Sequence, residues 1–109
     1  MIIEQQNILE LKIKLGSCRM ECDALAKKLE GEKDPAVIKN LSVKLRQAKN
    51  EVSLLSRYIE NIEKLYHIAQ NGDVLKQRVE VPDEEIEKMC NQMQEEFSSK
   101  DYNSSVFGE

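Results

Sequence analysis

The chain has 109 residues, enough for one small domain; a third of them are charged, 5% are aromatic and none is Trp. That balance fits extended helices with a thin apolar seam better than a thick globular core. The net charge is −4, and the acidic total, with few aromatics for stacking and no known motif, argues against a nucleic-acid partner.

The charge is unevenly placed. Residues 1–79 carry 14 Lys/Arg against 11 Asp/Glu, and residues 80–109 carry 2 against 9. Within the first part, Ala36 to Asn50 contains Lys39, Lys44, Arg46 and Lys49 and no acid. Such a patch suits an acidic protein or an anionic membrane surface, although a solvated helix face accounts for it more simply.

Three cysteines, Cys18, Cys22 and Cys90, are an odd number without framework spacing. They point to reduced thiols in an intracellular protein. No apolar run approaches the length of a membrane span, and MIIEQQN lacks the regions of a signal peptide. The expectation is a soluble, cytoplasmic chain with at most indirect membrane contact.

In chain order, the first helix is predicted from about Ile2 to Glu30. Ile8, Leu11, Leu15, Cys18, Cys22, Leu25 and Leu29 are spaced alternately by three and four, the pattern of a coiled-coil seam. Gly31 ends that helix, and Asp34-Pro35 starts the next, with Asp able to cap free N–H groups and Pro suited to the first turn. The second helix, 35–70, carries Leu41, Leu45, Ala48, Val52, Leu55, Ile59, Ile62, Tyr66 and Ala69 at the same spacing, and Gly72 stands where a left-handed terminating residue is expected. So short a connection makes the two helices antiparallel. Residues 1–72 are therefore expected to form a helical hairpin.

Each helix has apolar residues beyond its seam. Leu9, Ile13, Gly16 and Met20 form a second line on the first helix, about one residue's rotation from the seam; Leu54, Tyr58, Leu65 and Ile68 form one on the second. Contiguous apolar surface of this kind generally marks something that is covered. Residues 73–97 are the expected cover: an irregular strap with Val74, Leu75, Val79 and Val81, then a short helix opening at Pro82-Asp83-Glu84-Glu85 with an apolar face of Ile86, Met89, Cys90, Met93 and Phe97. The alternative is a separate recognition helix. Residues 98–109 read as a flexible tail. The predicted class is all-α: a long antiparallel coiled-coil hairpin with a short third helix at its open end.

Nothing in the chain suggests catalysis, a cofactor or a metal. His67, the single histidine, has no Cys or Asp partner in sequence, so a surface role is expected. Cys18 and Cys22 have an i, i+4 spacing able to hold a metal, yet both lie on the seam, where Cys acts as a small hydrophobe. The acids at Asp83, Glu84, Glu85 and Glu87 are accounted for by a helix start. Gly16 has no local explanation, since mid-helix it costs about 1 kcal/mol against Ala.

Glu10-Leu11-Lys12-Ile13-Lys14-Leu15-Gly16-Ser17 resembles the E-L-x-[IVL]-K-x-G-[AS] segment of the Rho-effector homology-region-one (REM) repeats of protein kinase C-related kinases, rhophilin and rhotekin. Val37-Ile38-Lys39, Leu45-Arg46-Gln47-Ala48-Lys49-Asn50 and Leu54-Leu55 are similar to that family's second helix, so the likeness spans about residues 3–70. The resemblance implies an antiparallel coiled-coil finger that binds the GTP-loaded form of Rho-type GTPases on its outer face, with Gly16 as the family glycine and Lys12 and Lys14 beside it. The expected contact residues are Leu9, Lys12, Ile13, Gly16 and Met20, with Lys44, Arg46, Lys49 and Arg57 meeting acids on the partner. A structural subunit of a cytoskeletal, kinetochore or membrane-tethering coiled-coil complex is the competing expectation. A homodimer is compatible with either.

Overall fold

In the computed structural model, the backbone of residues 1–107 is described, with side chains through Phe97. The chain is 80% helical, with three helices, the two long ones packed against each other, and a small two-stranded sheet. The order is β1 (Ile2–Glu4), α1 (Gln5–Gly31), α2 (Pro35–Gln70), β2 (Arg78–Glu80) and α3 (Asp83–Phe107). Among the described residues no helix is long and apolar enough to cross a membrane.

Three features differ from the all-α expectation. First, β1 occupies the start predicted as helical. Ile2 and Ile3 are β-branched, which favours extended backbone where pairing is available, and β2 supplies the pairing: Ile2 faces Glu80, Ile3 faces Val79 and Glu4 faces Arg78 in an antiparallel ladder. Second, the irregular strap of 73–81 contains that partner strand. Val79 and Val81, two residues apart, are both buried while Glu80 between them is exposed, the period of a strand. Third, α3 continues past Phe97 to Phe107 where a tail was expected. No Gly or Pro interrupts residues 83–107, so nothing in the sequence stops the helix earlier. The last two residues of the expected tail, Gly108 and Glu109, lie outside the described residues.

The chain divides into two compact units, Leu9–Ser56 and the pair of segments Met1–Ile8 and Arg57–Glu109. In Leu9–Ser56 the residues predicted for the seam are the less exposed ones on each helix. Leu15 is buried, Leu11, Cys18, Cys22, Leu25 and Leu29 are half-buried, and so are Leu41, Leu45, Ala48, Val52 and Leu55. Two helices alone can bury only their facing stripes, so partial burial is the expected limit here.

The turn between the helices is held by side chains. Glu32 Oε1 accepts the Lys33 and Asp34 N–H groups, each at 3.1 Å. Asp34 Oδ1 accepts the Ala36 N–H at 3.0 Å, and the Asp34 carbonyl takes the first helical bond, from Ile38 at 2.9 Å. Asp34 is thus the N-cap of α2, as its sequence position predicts. Asp34→Ala is expected to cost about 1 kcal/mol, read as a lower midpoint in chemical denaturation.

The other unit holds the core. Ile3 and Val79 from the sheet, Val81 just beyond it, Ile8 from α1, Ile62 and Tyr66 from α2, and Met89 and Met93 from α3 form one buried cluster, with Tyr58, Leu65, Ala69 and Ile86 packed against it. Of the apolar face predicted for the third helix, Met89 and Met93 are in this cluster and Ile86 packs against it, whereas Cys90 is exposed. Of the extra α2 line, Tyr58 and Leu65 pack against the same cluster. The other two, Leu54 and Ile68, are 47% and 68% exposed.

Polar bonds close this unit around α2's end. Asn71 and Gly72 both have positive φ, 51° and 86°, and reverse the chain. The Lys76 carbonyl then accepts two bonds at 2.7 Å, from the Tyr66 hydroxyl and from Gln70 Nε2. Gln70 is 7% exposed, a burial tolerable because its other amide atom, Oε1, accepts from His67 Nδ1 at 3.2 Å. Burial, aided by the nearby Cys90, raises the Tyr58 hydroxyl above its ordinary value of 10.0.

Candidate functional site: the outward face of helix α1

A helix turns about 100° per residue, so Leu9, Ile13, Gly16 and Met20 point roughly 160° away from the mean direction of the α1 seam. The structure places them accordingly. Leu9 is 47%, Ile13 71% and Met20 72% exposed, and a Cβ built on Gly16 would meet nothing within 4 Å. These residues therefore need no third layer of this chain, and none of its described segments covers them. The rotation of one residue expected from the pattern understated their distance from the seam.

Gly16 makes a notch in that line. Ile13 lies three residues before it and Met20 four after, the neighbours a helix brings onto one face. Between two large side chains the backbone is bare, so an approaching surface can come closer there than at any position bearing a Cβ. In the isolated chain Gly16→Ala removes a flexible residue from a helix interior without a clash. It is expected to stabilise the fold by up to about 1 kcal/mol, seen as a raised denaturation midpoint.

The expected polar contacts divide into two groups. Lys44, Arg46 and Lys49 are exposed on α2 within Leu9–Ser56 and have no hydrogen bond or ion pair among the described residues. Lys12 is exposed on α1 and does interact within the chain. Arg57 belongs to the other unit and is occupied. Its Nε and Nη2 donate to the two carboxylate oxygens of Glu96 at 3.1 and 3.0 Å, and its Nη1 reaches Glu60 at 3.3 Å. The Glu96 hydrogen bond and charge hold the guanidinium above its ordinary pKa, and a fork seated on a carboxylate in this way is a clasp between α2 and α3. Arg57, proposed from the sequence as a partner-binding cation, is thus already paired within the chain, unlike Lys44, Arg46 and Lys49 among the described residues. The partner, Glu96, is 39 residues away, beyond the reach of any local sequence pattern.

Among the described residues, no three His, Cys, Asp or Glu side chains gather to hold a metal ion. Cys18 and Cys22 are half-buried free thiols on the seam, and Cys90 is an exposed one on α3. His67 is exposed and spends Nδ1 on Gln70. What the site offers is shape and surface: an apolar outward line with a notch on one helix and, among the described residues, unpaired cations on its neighbour. No family profile, curated protein or solved structure matches the chain.

Proposed function

We propose that the chain is a protein-interaction module, in which α1 and α2 form an antiparallel coiled-coil hairpin that docks the GTP-loaded form of a Rho-type small GTPase on the outward face of α1. The observation that carries the docking face is the exposure of Leu9, Ile13 and Met20 around Gly16. Three large apolar side chains aligned in water on a rigid helix cost little to order on binding, and their burial supplies the affinity. The choice of partner rests on the likeness of residues 10–17 to the REM segment. Lys49, at the margin between the two helices, meets an acid on the GTPase, and nucleotide dependence comes from switch segments ordered by the γ-phosphate. Calorimetric titration of the chain with Rho-family proteins loaded with GTP or GDP tests this. Preferential binding to the GTP form is expected, and equal binding, or none, in both states sinks it.

A second reading draws on the spacing of the line. Steps of four, three and four residues also match the contact stripe of another helix, which is the surface a structural coiled-coil subunit would present. Under that reading the chain associates with helical partners without regard to nucleotide, and light scattering finds the isolated chain as an oligomer rather than a monomer.

A further inference from the structure

A second feature of Leu9–Ser56 lies between its two helices. Arg19, Cys22 and Asp23 of α1 and Lys49, Val52 and Ser53 of α2 line an open groove of about 420 Å³. Its residues come from both the seam and its margin: Cys22 and Val52 are half-buried seam residues, whereas Arg19, Asp23, Lys49 and Ser53 are exposed. Neither Arg19 nor Lys49 has a hydrogen bond or ion pair among the described residues. We propose that this groove is a carboxylate-receiving subsite of the docking surface, in which Arg19 and Lys49 take an Asp or Glu side chain of a protein partner while Cys22 and Val52 receive the apolar residue beside it. This rests on reading Leu9–Ser56 as the docking element.

Charge argues for the ligand class. Arg19 and Lys49 against Asp23 leave one net positive charge, which a single carboxylate neutralises. A phosphate monoester, at −1.5 to −2 near neutral pH, would overshoot it and face Asp23 as well. The surroundings have the same sign: Leu9–Ser56 carries ten Lys/Arg against seven Asp/Glu. Shape argues against a membrane, because a recessed floor of Cys22 and Val52 is reached by a projecting side chain and not by a flat layer of headgroups. Sequence patterning alone singled out Lys49 for its acid-free neighbourhood but passed over Arg19, which lies near acids in sequence and gains its role only when α2 is set against α1.

The test uses the ¹⁵N-labelled full chain and no GTPase, so failure of the groove and failure of the Rho-type assignment are separate results. The chain is titrated with a synthetic peptide of alternating Glu and Leu, with the same peptide carrying Lys for Glu, and with phosphatidylserine vesicles. Saturable shifts concentrated at Arg19, Cys22, Lys49, Val52 and Ser53 are expected with the Glu peptide alone. Arg19→Glu with Lys49→Glu should weaken that binding by at least about tenfold, and Arg19→Lys with Lys49→Arg should retain most of it. Equal response of Lys39 and Lys44, which lie outside the groove, would reduce the effect to general charge attraction and overturn the proposal. Binding of the Lys peptide, or residue-specific broadening by vesicles without a response to the Glu peptide, would also overturn it.

Discussion

Ile62→Ala is expected to destabilise the unit formed by Met1–Ile8 and Arg57–Glu109 by about 3 kcal/mol, within the 2–5 kcal/mol range of such truncations. Ile62 is 2% exposed and belongs to the cluster that joins the sheet, α1, α2 and α3. Removing three carbons forfeits roughly 2.4 kcal/mol of transfer free energy at about 0.8 per buried methylene, and the cavity adds to that. Small domains hold only about 5–15 kcal/mol in total, so the loss is a large share. Urea denaturation followed by circular dichroism measures it. Ile13→Ala is the matched control: the same chemical change at a position 71% exposed should move stability by no more than about 0.5 kcal/mol. Similar costs at the two positions would mean that Ile13 is packed in solution, and the open face of α1 would not exist.

The largest effect on binding is expected from Ile13→Asp combined with Met20→Asp. Both side chains project from the outward face of α1, so the fold loses little more than helix propensity, at most about 0.7 kcal/mol per residue. The partner, in contrast, loses two apolar anchors. Each is worth roughly 1.5–3 kcal/mol when fully buried, so affinity for the GTP-loaded GTPase should fall by about a hundredfold or more. Calorimetry and thermal denaturation on one preparation separate the two quantities. Unchanged affinity in the folded double variant would move the docking face elsewhere. Gly16→Ala sharpens the distinction, because the added methyl that favours the helix stands where the partner's surface is proposed to approach.

Much of this arrangement was legible in the sequence, for reasons that differ element by element. The less exposed stripes of the two long helices could be read because their spacing is set by the helix itself, from Leu11 to Leu29 and from Leu41 to Leu55. Beyond Leu55 the same spacing continues, but Ile62 and Tyr66 join the cluster of the other unit. The Asp34 cap could be read because its hydrogen bond closes within two residues. The outward direction of Leu9, Ile13 and Met20 was equally available from helix arithmetic. The sheet was harder. Three residues such as Ile2-Ile3-Glu4 are too short to separate strand from helix by period, and only the alternation of Val79 and Val81 hinted at a strand. The Arg57–Glu96 clasp and the paired bonds on the Lys76 carbonyl depend on which elements meet. No local signal encodes the first. The second requires knowing that residue 76 returns to the end of α2.

The pairing of the first strand with residues near 80 also constrains the order in which the chain folds. The Met1 ammonium and carbonyl are both bonded to Val81, 80 residues away, whereas the contacts of Leu9–Ser56 close around a connection of three residues. Closing a loop costs entropy that grows with the logarithm of its length, and contacts distant in sequence are slow to form. The turn at Glu32–Asp34 is therefore the economical nucleus, and zipping α1 against α2 from there shortens the segment that β1 must close to reach β2. Substitutions near the turn should slow refolding, while those in the sheet should chiefly speed unfolding. On this account the surface proposed to bind partners is assembled before the core that gathers most of the buried hydrophobic side chains among the described residues.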